Sequence, residues 1–191
     1  PDLAKSYVYV GDIGDNDAVF PYKYVYRFEE PEFRNGVETV SLSAEVMVFQ
    51  LADGIKDTES LFIDPVSQHL YLISKRENPV HVYELPNTFT GDTLTAQPIA
   101  SLPYAKIVAA DYDPSHGLLI KNYDHIYYWK PKGAISIAGL LQEIPNEVPY
   151  QKEPQGESIA WVTDGSAFYT LSESTKRKMA QLYRYNKKAK P

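Results

Sequence analysis

Cysteine is absent from this 191-residue sequence, which excludes a disulfide framework, thiolate metal sites and a thiol nucleophile. No apolar run approaches the roughly 20 residues that a membrane-spanning helix requires, and no signal-peptide pattern opens the chain. The sequence starts at Pro1 rather than Met, so a processed or missing N-terminal part is expected. Neither a GxSxG nucleophile elbow nor a phosphate-cradling glycine loop occurs, and Ser172 has no identifiable base partner. Histidine is scarce: His69, His81, His116 and His125 lack the spacing of a zinc site, so no catalytic or ligand role is expected of them. Zinc, haem and nucleotide cofactors are not expected.

What is present points to a packed domain. Hydrophobic residues make up 43% and charged residues 23%, enough apolar surface for a core. Tyrosine is over-used, 16 copies against 7 Phe and 2 Trp; a phenol suits a half-buried strand, its ring packed and its hydroxyl at the rim. The net charge of −6 is unevenly spread. From Ser174 onward Lys176, Arg177, Lys178, Arg184, Lys187, Lys188 and Lys190 meet no acidic residue, so the remaining body is more acidic than the total implies. Such a body argues against a nucleic-acid partner. The basic end is either a solvated terminus or a contact for an anionic partner.

Short period-two runs dominate: Tyr7 to Val10, Lys23 to Phe28, Leu70 to Ile73, Val80 to Leu85 and Ile126 to Trp129. They predict half-buried strands, separated by turn signals such as Asp64-Pro65, Asp113-Pro114 and Asp164-Gly165. The single helix expected is short, Ser136 to Gln142. Three segments, Thr58 to Pro86, Ile107 to Pro131 and Gly156 to Asn186, share one layout: a small or apolar strand, an Asp turn, an apolar strand, a polar loop, then a Tyr-rich strand. A period of about 50 residues is that of a four-stranded propeller blade. The predicted fold is therefore all-β: a β-propeller of four-stranded antiparallel blades, present as an incomplete segment of about three and a half blades. The blade pieces fall at about 5–50, 57–103, 106–143 and 155–187 within one domain. The first lacks its innermost strand and the last its outermost, so the missing blades are expected from the rest of a longer chain or from another chain.

With strands A to D running outward from the channel, the loop entering A and the loop leaving B share one face. That face receives Asp57, Glu59, Lys106, Gln155 and Glu157 on entry loops. It also receives Asp12, Asp15, Asn16, Lys75, Arg76, Glu77, Lys121, Asn122, Asp124, Ser172 and Glu173 on exit loops. Asp111, within a strand A, lines the channel if it faces inward.

Each constellation admits two readings. Asp12, Asp15 and Asn16 offer the oxygen donors of a Ca²⁺ or Mg²⁺ site, or form a turn capped by its own side chains. Glu59 and Glu157 converge to bind a cation or share a proton as general acid or base, or each holds a turn through backbone N–H groups. Lys75, Arg76 and Lys121 clamp an anion, or pair with Glu59, Glu77, Glu157 or Glu173. Ligand-binding candidates are thus Glu59, Lys75, Arg76, Asp111, Lys121, Glu157 and Glu173.

The ordered motifs YVGDIGDN, DTESLFIDP with LYLISKR, AADYDP with IYYW, and QGESIAW with FYTLSES resemble a group of bacterial propeller proteins. These are mostly uncharacterised, usually exported, related to the six-bladed TolB-like class and more distantly to phytase-like esterases. The resemblance runs from Tyr7 to Asn186. It implies six blades and a periplasmic or secreted location, and supplies no established reaction. The chain departs from the family pattern at Ala18 to Phe20 and Lys121, where the family carries Arg, and at Val108, where it carries Thr. Two functions remain: a propeller binding module holding a small molecule or protein at the channel face, or a Ca²⁺-dependent, phytase-like hydrolase of an anionic ester.

Overall fold

The computed structural model describes residues 5–32, 35–36, 39–174, 176 and 178–187. Arg177, Lys188 and Lys190 of the basic C-terminal stretch lie outside the described residues. The strands follow the repeats. The first meander is β1 (Tyr7–Asp12), β2 (Lys23–Glu29) and β3 (Glu45–Leu51). The second is β4 (Thr58–Ile63), β5 (Leu70–Ser74), β6 (Val80–Leu85) and β7 (Thr93–Leu102). The third is β8 (Ile107–Asp113), β9 (Gly117–Asn122), β10 (Ile126–Trp129) and β11 (Asn146–Val148), with helix α1 (Ile137–Leu140) before its last strand. The fourth is β12 (Gly156–Trp161), β13 (Ala167–Ser172) and β14 (Leu182–Asn186).

Consecutive strands within a meander pair antiparallel. One join was not foreseen from the sequence. The first half of β7 runs parallel to β3 (Val48 opposite Thr93 through Leu51 opposite Ala96), while its second half pairs antiparallel with β6. The two meanders thereby form one seven-stranded sheet in the order β1-β2-β3-β7-β6-β5-β4. The long β7 covers the edge that β3 would otherwise leave open, which removes unpaired backbone groups from the surface. Pro98 lacks an N–H to donate, and it sits where the β6–β7 register shifts between Val82 and Tyr83.

Period-two alternation here does not separate inside from outside; it distributes residues between two cores. Leu70 and Leu72 of β5 join Val25, Met47 and Phe49 in the core between the first and second meanders. Tyr71 and Ile73, on the opposite face, join Leu118, Ile120 and Trp129 in the core between the second and third. In β9, Leu119 turns away from Leu118 and Ile120 to pack with Ile159 and Phe168. Central strands buried on both faces are what a ring of face-to-face sheets demands, at about 1.5–3 kcal/mol per buried Leu or Ile. The helix is shorter than its sequence signal: Ser136 is its N-cap, its hydroxyl accepting from Gly139 N, and Ile137 and Leu140 fill the middle core.

The far face carries the Asp turns. Asp64 accepts from Val66 N and Ser67 N, Asp113 from Ser115 N and His116 N, and Asp164 from Ser166 N. These side chains close their own turns.

Candidate functional site

Each innermost strand begins with a β-bulge at the same place. The register shifts fall between Thr58 and Ser60, Ile107 and Ala109, and Gly156 and Ser158. A bulge leaves one residue unpaired and re-aims its side chain. The three unpaired residues are Glu59, Val108 and Glu157, and all three line one cavity of about 310 Å³. The small residues Gly11, Ala109, Ala110 and Ser158 leave its space open, and Ile13, Leu61 and Ile159 provide aliphatic wall. A Cβ at Gly11 would stand 3.2 Å from Leu61 Cδ2. The residue entering two of these bulges is itself strained: Lys106 and Gln155 hold φ of 59° and 49°, left-handed conformations that cost non-glycine residues energy and collect at functional sites.

A chain of polar contacts ties the two glutamates together across three meanders. Lys75 Nζ donates to Glu59 Oε2 at 2.5 Å and lies 5.4 Å from the centre of the Tyr123 ring. Tyr123 in turn donates its hydroxyl to Glu157 Oε1 at 2.5 Å. Burial works against the Lys75 charge, but Glu59 and the Tyr123 hydroxyl outweigh it and raise the ammonium above its ordinary range. Burial raises the Tyr123 phenol, and its bond to Glu157 adds to the rise.

Lys121 is placed differently from the rim position expected for it. It is fully buried, its ammonium donating to the carbonyls of Gly156 and Asn122 and lying 4.7 Å from the Tyr150 ring centre. Burial depresses it to about 8, against the opposing pull of Glu153, Glu157 and Asp124. Glu153, also buried, accepts from Thr170 Oγ1 and, at 3.4 Å, from Tyr150 OH.

The Asp12 to Asn16 loop is locked from within and from the second meander. Asp15 accepts from Val19 N at 3.0 Å and Phe20 N at 2.9 Å, and its carboxylate lies 3.9 Å from Lys23 Nζ. Burial opposes its charge, but these amides and Lys23 together hold the carboxyl below its usual range. Asp57 accepts from Asp15 N at 2.7 Å with one oxygen and from Arg76 Nε at 2.7 Å with the other. Arg76 also donates to Asn16 Oδ1. A divalent cation at this loop would have to displace two amide bonds and settle beside the Lys23 ammonium, so the donor set fits a self-capped turn better than a metal cradle. Asp12 is exposed beside it. Among the described residues no three His, Asp or Glu side chains come together as ligands for a cation.

Asp111 and Glu173 do not join the cavity. Asp111 lies near the far end of β8, where its carboxylate accepts from Trp161 N at 2.7 Å and Tyr112 N at 2.9 Å. It ties innermost strands together, and burial raises its carboxyl despite those amides. Glu173 is exposed, and its own amide donates to Gln155 O. The four histidines are dispersed on separate carboxylates: His69 with Glu84, His81 with Asp53, His116 with Asp113 and His125 with Glu147.

Sequence reasoning missed Val108 and Tyr123. Both were detectable, because 59, 108 and 157 stand at equal intervals along the chain, and Tyr123 occupies the place in its repeat that Lys75 occupies in the preceding one.

The WD40 domain of Toxoplasma gondii coronin superposes on 95% of this chain with a TM-score of 0.50 at 15% sequence identity. The pyrroloquinoline-quinone-bound aldose sugar dehydrogenase of Streptomyces coelicolor covers 93% of it, with a TM-score of 0.46 at 10% identity. The chain spans 48% and 62% of the length of those two proteins. No family model and no curated protein sequence matches it. At such low identity the likeness to the coronin domain speaks for fold alone, and with the repeated meanders it defines the class: the protein is a β-propeller, present as an incomplete ring.

Proposed function

We propose that this propeller segment is a binding module whose ligand enters the channel-mouth cavity between Glu59 and Glu157. One observation carries the reading: three equivalent bulges project residues 59, 108 and 157 into a single cavity, and two of the three are carboxylates linked through Lys75 and Tyr123. A concave, partly apolar site with a few fixed polar groups is the usual form of a small-molecule site. The resemblance to exported six-bladed TolB-like propellers is in keeping with a binding role.

The hydrolase alternative needs a metal at the Asp12 to Asn16 loop and free cations for an anionic ester. The committed partners of Asp15, Lys75 and Lys121 favour binding over that chemistry. Thermal-shift screening against amines, carboxylates, phosphoesters and sugars tests the proposal, with Leu61→Phe as the variant that fills the cavity. A ligand that stabilises the native chain and not the variant supports it. A panel without any such ligand, or hits that ignore the substitution, would overturn it.

A further inference from the structure

We infer that the ligand of the channel-mouth cavity is a primary alkylammonium ion, an inference that rests on the binding role just proposed. Charge and unused acceptors at the two glutamates both favour such a cation. Glu59 has a cation in direct contact, Lys75 at 2.5 Å, whereas Glu157 receives a neutral hydroxyl from Tyr123. The next cation on the Glu157 side, Lys121, directs its protons at the Gly156 and Asn122 carbonyls rather than at Glu157, and its charge is shared among Glu153, Glu157 and Asp124. The cavity wall therefore carries one more carboxylate than it has cations in contact. An anion entering it would add to that excess, and a monocation cancels it.

The acceptors agree. Glu59 spends Oε2 on Lys75 and Glu157 spends Oε1 on Tyr123, which leaves Glu59 Oε1 and Glu157 Oε2 for a ligand. A primary ammonium has three donors and no acceptor, the complement of two carboxylates that line one cavity. The remaining lining is aliphatic: Ile13, Leu61, Val108 and Ile159 suit a short alkyl stem. A quaternary ammonium would look for several ring faces, and Tyr9 is the one aromatic residue of the lining. A neutral polyol would meet these aliphatic walls with most of its hydroxyls unpaired.

The chemistry is common to free alkylamines and to lysine side chains, so calorimetry at near-neutral pH uses both n-butylamine and N-acetyl-lysine methylamide. The controls of matched size are n-butanol, butyrate and tetramethylammonium. Saturable binding of n-butylamine is expected, with none for butanol or butyrate. Binding of the blocked lysine as well extends the source to peptides; its failure restricts the source to free amines. Glu157→Gln should weaken binding about 10- to 100-fold, the range of a lost hydrogen bond to a charged group. If Glu157→Gln fails to fold, Glu157→Asp keeps the charge, moves it back by one methylene and should still weaken binding. Butanol or butyrate binding as well as butylamine, lost in Leu61→Phe, would overturn the ammonium assignment and leave the binding role standing. Silence from every probe in calorimetry, together with silence in the wider screen, would remove both.

Discussion

Lys121 offers a direct measurement of what burial does to a charge in this fold. Its side chain is 0% exposed and its ammonium is depressed from 10.5 to about 8 by loss of water, despite neighbouring carboxylates. The unfolded chain therefore holds this proton more tightly than the folded one. Each unit of pH between about 8 and 10.5 then favours folding, because stability rises wherever the unfolded state binds more protons. A displacement of this size corresponds to roughly 3 kcal/mol of penalty at neutral pH. Integrated between about pH 7 and pH 9.5, it should return about 2 kcal/mol. Lys121→Met retains most of the side-chain volume and removes the titration. Urea unfolding of both proteins at a series of pH values gives the difference free of groups common to both. The native chain should gain about 2 kcal/mol relative to the variant over that interval. The interval stops short of about pH 10 because buried phenols begin to act there with the opposite sign: Tyr71, Tyr83 and Tyr150 are all raised by burial. A native-minus-variant difference that stays flat from pH 7 to 9.5 would refute the reasoning, since Lys121 would then titrate alike in both states.

Asp57→Ala should cost about 2 kcal/mol, because it leaves the Asp15 amide without its acceptor. The midpoint of a calorimetric melt should fall by about 4–8 °C. Arg76→Ala should cost below about 1 kcal/mol, since that side chain is 50% exposed; equal losses for the two would contradict the assignment. Gly156→Ala should destabilise by roughly 1–3 kcal/mol in chemical denaturation, as a Cβ there would stand 2.4 Å from Glu153 Oε2 and 2.8 Å from the Tyr150 hydroxyl. Asp15 is held ionised below its usual range, so its contribution to stability is complete above its unfolded value and is lost as pH falls through its folded one. Asp15→Asn should flatten the acid limb of the stability profile, and an unchanged limb would count against the self-capped loop.

The strands, the turns and their order are written locally in the chain. Alternation in Leu70 to Ile73 and Val80 to Leu85, punctuated by Asp64-Pro65, is local information, and β5 and β6 formed where it said. Strand direction then put Glu59, Lys75 and Glu157 on one face, because an antiparallel meander has no other way to lay out its loops. Repetition carried the blades, since residues at like places in each unit meet like neighbours. Features that depend on two units meeting arise only once the meanders pack. The parallel union of β3 with β7 joins residues that no local pattern pairs. The bulges that turn Glu59, Val108 and Glu157 into the cavity add an unpaired residue to a strand without breaking its apolar period, so composition alone does not reveal them. Lys121 shows the limit most plainly. In sequence it is a basic residue at the end of an apolar run, indistinguishable from Lys75, whose ammonium meets the Glu59 carboxylate at the cavity. Only the packing of the fourth meander, which brings the Gly156 carbonyl and the Tyr150 ring over it, makes it a buried cation. Burial and partners belong to the assembled sheets, and they separate a charge held against a cavity carboxylate from one spent on backbone carbonyls.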